Sequence, residues 1–178
     1  MACIEVKNLH FSYPNAQREA LSELNFTLQE GEFVTLMGSS GGGKSTLLRC
    51  LKPALRPHGS LSGEILFFGE PIDALDARRQ ASEIAFVQQN PDNQIVTDKV
   101  WHELAFGLES LGEETSVIRR RVAEMAAFFG SEDWFYKDIS TLSGGQKQLL
   151  NLAAVMTLQP RLLLLDEPTA QLDPIAAT

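Results

Sequence analysis

The stretch Gly38-Ser39-Ser40-Gly41-Gly42-Gly43-Lys44-Ser45 fits the pattern G-x-x-x-x-G-K-[ST], and it constrains the fold more than any other part of the chain. Such a loop works where a buried strand ends and a helix begins, because its backbone N–H groups must converge on one anion. The flanks meet this requirement. Phe33-Val34-Thr35-Leu36-Met37 is a mostly apolar run that reads as a buried strand, and Ser45 to about Leu51 reads as a helix. In that setting Gly41 to Thr46 supply the N–H donors for a triphosphate. Lys44 is a point charge for its β- and γ-phosphates, and the Ser45 hydroxyl is a ligand for Mg²⁺. A chance glycine-rich turn would lack this strand-loop-helix setting.

The remaining patterns alternate strand and helix. Cys3 to Lys7 and Asn25 to Leu28 alternate as half-buried strands, the second closed by a turn at Glu30-Gly31. Pro53 and Pro57 end the first helix, Gly63 to Phe68 and Ile84 to Val87 read as strands, and Gly69-Glu70-Pro71 reads as a turn. From Thr97 the period becomes helical. Val100, Leu104 and Leu108 recur every four residues, and Ile118, Val122, Met125 and Phe129 share one face of a helix that Gly130 caps. Leu162 to Leu165 lies between prolines; its length favours a buried parallel strand over the helix that leucine prefers. The expected class is α/β: a P-loop NTPase (RecA-like) core with a mostly parallel sheet, an N-terminal antiparallel part and an inserted helical subdomain. The expected division is 1–94 and 159–178 for the core, and 95–158 for the helical insertion.

Two further clusters carry chemistry. Asp166 ends the buried leucine strand, where ligand sites gather in open parallel sheets, and is placed to hold Mg²⁺; Glu167 then polarises the attacking water. Ser143, Gly144 and Gly145, followed by Gln146, put a hydroxyl and small residues at the start of a helix running to about Leu158, which makes an anion-binding N-terminus.

With Leu142-Ser143-Gly144-Gly145-Gln146 and Leu162-Leu163-Leu164-Leu165-Asp166-Glu167-Pro168 downstream of the phosphate loop, the chain resembles the ATPase subunits of ATP-binding cassette (ABC) transporters over nearly its whole length. The resemblance implies ATP and Mg²⁺ as cofactors, hydrolysis as the reaction, and a second ABC ATPase subunit, identical or different, as partner. It implies that Ser143, Gly144, Gly145 and Gln146 close over the γ-phosphate held by the opposite subunit. Gln89, directly before Asn90-Pro91, matches the glutamine that reaches Mg²⁺ and the water; Gln88 is its neighbouring competitor. Tyr13, in Phe11-Ser12-Tyr13-Pro14, matches the aromatic that stacks on adenine, the other reading being a strand-end core aromatic.

Within that family Asn90-Pro91-Asp92-Asn93-Gln94 and Phe106-Gly107-Leu108-Glu109 look like the ATPase subunits of energy-coupling factor (ECF) transporters, importers of vitamins and of cobalt and nickel ions. Another ABC importer or exporter is the runner-up. Relatives with a long coiled coil are set aside, since 98 residues separate Lys44 from Ser143 and no heptad run lies among them.

Composition narrows the partners. A net charge of −8 argues against nucleic acid, and Arg119-Arg120-Arg121 reads as a solvated helix face. No apolar run approaches the roughly 18 to 20 residues of a membrane helix, so the expected place is the cytoplasmic face of the membrane, docked peripherally on transmembrane subunits. Cys3 and Cys50 have no metal-like spacing and read as bystanders of a reducing compartment. Asp173-Pro174 looks like a helix start five residues from Thr178. Family resemblance places a phosphate-contacting histidine further on, whereas His10, His58 and His102 all lie upstream. The expectation is therefore a C-terminally truncated ATPase, with a nucleotide-binding form that does not hydrolyse as the alternative.

Overall fold

The computed structural model describes residues 1–168, and the expected helix start at Asp173-Pro174 lies outside them. The chain divides into two compact units, Met1–Gln80 and the residues from Ala81 onward.

The first unit is built on an antiparallel sheet. Strand β1 (Ala2–Ser12) pairs on one side with β2 (Leu21–Gln29) and on the other with β3 (Ser60–Phe67), while the two-residue β4 (Glu70–Pro71) closes the edge, giving the order β2-β1-β3-β4. Ile4, Val6, Leu9 and Phe11 of β1 are buried, as are Ile65 and Phe67 of β3. The inward positions shift by one between Val6 and Leu9, where the β1–β3 ladder also slips between Lys7 and His10. Gly63 faces this irregularity with φ +93°, and a Cβ there would lie 2.2 Å from the Asn8 carbonyl oxygen, so only glycine fits. Helix α1 (Lys44–Cys50) follows the phosphate loop, and short 3₁₀ turns at Pro53–Leu55 and Ile72–Ala74 complete the unit.

One sequence expectation fails here. Residues 33–37 form no strand, and Phe33 and Met37 are each 88% exposed. Apolar composition gives a segment the tendency to be a buried strand, but a strand exists only through the ladder of a neighbour. Among the described residues no strand runs beside this one.

Helix α2 (Ala77–Glu83) spans the division between the units. The second unit contains the parallel pair β5 (Ile84–Val87) and β6 (Leu162–Leu165), in register from Ile84 with Leu162 to Val87 with Leu165. Tertiary pairing has overridden leucine's helical preference in β6. Between these strands lie helices α3 (Val100–Ser110), α4 (Thr115–Phe128) and α5 (Gly144–Met156). Their shared core contains Val100, Leu104, Val122, Ala126, Trp134, Leu150 and Ala153, with Ile118 and Phe129 packed against it, as the helical period predicts. Gly130 N–H donates to the Ala127 carbonyl and Ser131 N–H to that of Ala126, the hydrogen-bond pattern of a Schellman cap at the end of α4. The architecture is that of a P-loop ATPase with an antiparallel N-terminal sheet, a parallel sheet and a helical insertion.

Candidate functional site

The phosphate loop occupies the first unit. Residues 38–42 are exposed, and Lys44 Nζ donates to the carbonyl oxygens of Gly38 (2.9 Å) and Ser39 (2.8 Å). The lysine head therefore sits inside the curve of the loop, the position from which a phosphate would be held. Gly43, the N-cap of α1, has φ +81°, and a Cβ there would approach the Ala20 carbonyl oxygen to 2.5 Å. The turn that starts the helix thus admits no side chain at this residue. No side chain caps α1. Gly42 N–H donates to the Ser39 carbonyl at 3.1 Å and tightens the turn through Ser40 and Gly41.

Ser45 is half-buried and Thr46 buried. The Thr46 hydroxyl lies 2.9 Å from the Tyr13 hydroxyl, tying the end of the β1 strand region to the phosphate helix. Tyr13 packs edge-on against Phe11, with ring centroids 5.0 Å apart, yet remains 40% exposed. Phe11 thus covers part of the ring's surroundings, and the rest of the ring is open to solvent.

The carboxylates belong to the second unit. The parallel register continues past β6, where Asp166 N–H donates to the Val87 carbonyl at 3.0 Å. Asp166 is 6% exposed, whereas the next residue turns out of the strand with φ +49°. A left-handed glutamate is uncommon and costs backbone energy, a kind of strain that clusters at functional sites. It lets Glu167 meet Gln89: Gln89 Nε2 donates to Glu167 Oε2 at 2.6 Å across 78 residues of sequence. Of the two candidate glutamines, Gln89 makes this contact. Gln88 engages its neighbours through backbone, its N–H donating to Gln94 Oε1 and its carbonyl accepting from Gln148 Nε2.

At the start of α5, Ser143 and Gln146 form a reciprocal capping box: Gln146 N–H donates to Ser143 Oγ (3.2 Å) and Ser143 N–H to Gln146 Oε1 (3.0 Å). Gln146 is engaged in this cap. Ser143 Oγ accepts there but keeps its proton to donate, and Ser143 and Gly144 are exposed.

Sequence reasoning missed the residues that fix the Gln89 segment. Asn90 Oδ1 accepts from Asp92 N–H and caps the 3₁₀ turn Pro91–Asn93. Gln94 accepts from Gln88 N–H and donates to the Phe86 carbonyl, both at 3.0 Å. Asn151 Nδ2 donates to the Pro91 carbonyl at 3.1 Å, and Lys147 Nζ to Asp92 Oδ1 at 2.7 Å. A signal was present in α5: Gln148 and Asn151 interrupt an otherwise apolar helical stripe.

The ABC transporter family pattern matches residues 21–170. This chain belongs to the ABC transporter ATP-binding family. An ABC transporter ATP-binding protein of Bacillus anthracis is 49% identical over 177 residues, covering 99% of this chain and 32% of that protein. The cobalt import ATP-binding protein CbiO of Syntrophus aciditrophicus is 39% identical over 174 residues, covering 96% of this chain and 60% of that one. The solved structure of cbiO1 from Clostridium perfringens, part of the ABC transporter complex cbiONQ, superposes with a TM-score of 0.85 at 33% identity, covering 98% of this chain and 69% of that one. The chain thus spans about a third of the length of the B. anthracis relative. No helix among the described residues is long and apolar enough to cross a membrane.

Proposed function

We propose that this chain binds Mg-ATP and supplies one half of a composite hydrolytic site that drives a membrane importer. The observation that carries the hydrolytic reading is the Gln89–Glu167 contact at 2.6 Å, with Glu167 held at positive φ beside the buried Asp166. Phosphoryl transfer asks a protein mainly to position groups and neutralise charge. Glu167 accepts a hydrogen bond from the attacking water and takes its proton, and Gln89 fixes the carboxylate through its Nε2 and offers its own carbonyl oxygen. Lys44, Ser45 and the N–H groups of Gly41 to Thr46 hold the phosphates.

Each group that the family resemblance nominates for Mg²⁺ has the chemistry this ion prefers: the Ser45 hydroxyl in the first unit, and the Asp166 carboxylate and Gln89 amide oxygen in the second, are hard oxygen ligands. When bound, the ion neutralises charge on the β- and γ-phosphates. Tyr13 takes the adenine against its exposed ring. Ser143, Gly144 and Gly145 serve the γ-phosphate of a second cassette, identical or different.

The importer is of the ECF type, carrying vitamins or cobalt or nickel ions, with this chain peripheral on the cytoplasmic face and docked on transmembrane subunits. Likeness to the cobalt import protein of S. aciditrophicus and to cbiO1 of C. perfringens supports this reading. The test is phosphate release from purified protein with ATP and Mg²⁺, comparing wild type with Glu167→Gln. Turnover in wild type and at least a hundredfold loss in the variant are expected; retained turnover in the variant would exclude Glu167 as the water-positioning group. Nucleotide bound by wild type with no phosphate released would favour the non-hydrolysing alternative.

A further inference from the structure

The polar face of α5 is unusual for a buried helix. Gln148 is 3% exposed and Asn151 1%, yet each uses only its amide N–H₂ in a hydrogen bond, to the carbonyls of Gln88 and Pro91 respectively. Their own oxygens, Gln148 Oε1 and Asn151 Oδ1, are buried without a partner. Turning either amide would set its oxygen against a carbonyl oxygen, so the orientation is fixed by the acceptors.

These two side chains are poor choices for stability alone. The Pro91 carbonyl already accepts from Gln94 N–H (3.0 Å) and Ile95 N–H (3.2 Å), so it would stay satisfied without Asn151. The Gln88 contact is 3.5 Å long and weak. Against these small gains stand two buried acceptors that have lost water and found no donor. Leucine at either position would continue the apolar face formed by Leu150 and Ala153.

What the two amides do accomplish is attachment. Together with the Lys147–Asp92 ion pair they connect α5 to residues 88–92, the segment whose Gln89 touches Glu167. The opposite end of that connection is the Ser143-Gly144-Gly145 start of the same helix. A displacement of this helix therefore pulls on Gln89 through three contacts one or two turns from the cap.

We propose that Gln148 and Asn151 are positioning residues for ATP hydrolysis, buried amides that couple the Ser143–Gly145 helix start to the Gln89–Glu167 pair. The proposal rests on the hydrolytic reading above. The phosphate loop is not part of this linkage, so its effect falls on turnover and not on nucleotide affinity.

The test uses the complete natural protein that carries these residues, in wild-type, Asn151→Leu and Gln148→Leu forms. Three quantities are measured: Kd for ATP by titration, kcat for phosphate release, and Tm. The expected result is kcat lowered at least fivefold, Kd changed less than twofold, and Tm unchanged or raised. Unchanged kcat in both variants, or a loss of kcat that accompanies a fall in Tm, would overturn the proposal and make the amides structural. A surface pair provides a second arm that spares the core. Lys147→Asp should lower kcat, and the exchanged pair Lys147→Asp with Asp92→Lys should restore at least half of it; no loss, or no restoration, would equally contradict the coupling. Wild type that binds ATP without hydrolysing it would instead sink the underlying reading, which keeps the two failures distinct.

Discussion

Lys44 places two of its three donors on its own loop in this structure, on the Gly38 and Ser39 carbonyls. A triphosphate entering the loop would exchange neutral acceptors for charged ones, adding the attraction of opposite charges to bonds that now run to carbonyls. Lys44→Ala is therefore expected to weaken ATP binding at least tenfold, about 1.4 kcal/mol, in an isothermal titration. Undiminished affinity would contradict the assignment. Cys50, the last residue of the same helix, and Lys52, two residues further on, are both shifted by burial. Desolvation lowers Lys52 to about 8 and raises the Cys50 thiol to about 11. Between about 8 and the ordinary 10.5 the unfolded chain holds a proton on Lys52 that the folded chain lacks, so this residue's contribution to stability rises with pH across that window. Cys50 acts oppositely: its contribution is full below 9.0 and is lost as pH rises towards about 11. Only the lysine acts between about 8 and 9. Any Tm advantage of Lys52→Met over wild type should shrink as pH is raised through that interval; a constant difference would show that Lys52 stays charged in the fold.

At the scale of elements, α5 and the loop before it were half legible in the sequence. The sequence marked Ser143-Gly144-Gly145 as the start of a helix, and the structure adds that Ser143 and Gln146, at N-cap and N3, close a capping box there. Gln146→Ala should cost about 0.5–1 kcal/mol in chemical denaturation, the worth of half a cap, while ATP binding by the phosphate loop is preserved. A loss of several kcal/mol would mean that Gln146 does more than cap. Asn90-Pro91 was legible as a family mark, but its physical meaning was not: the 3₁₀ turn depends on Gln94 and Asn151, and neither contact follows from local pattern. The segment Phe33–Met37 shows the opposite limit. Its composition asks for burial, but composition cannot supply the neighbouring strand, and its backbone stands exposed. Amide hydrogen exchange of these 178 residues should be fast across residues 33–37 and slow across Ile84–Val87, where all four residues are buried and paired. Equal protection would show that a partner strand covers the former.

For the whole molecule, the class of fold was readable because three motifs occur in a fixed order and each constrains its own surroundings. The loop demands glycine at Gly43, the leucine strand delivers Asp166 to a buried end, and a left-handed Glu167 was the detail no pattern announced. Gln89 could be chosen over Gln88 only by resemblance, whereas the hydrogen bond to Glu167 distinguishes them by geometry. What joins these parts is the claim that Glu167 acts on water and not on nucleotide. Neutralising it should leave ATP binding intact, halt turnover, and stabilise a two-cassette complex with ATP trapped, because in the proposed site this carboxylate repels the phosphates. The most direct measurement is size-exclusion chromatography with light scattering of Glu167→Gln in ATP and Mg²⁺, paired with phosphate release from the same sample. A nucleotide-dependent dimer without phosphate release is the expected result; a monomer that releases phosphate at the wild-type rate would contradict the role given to Glu167.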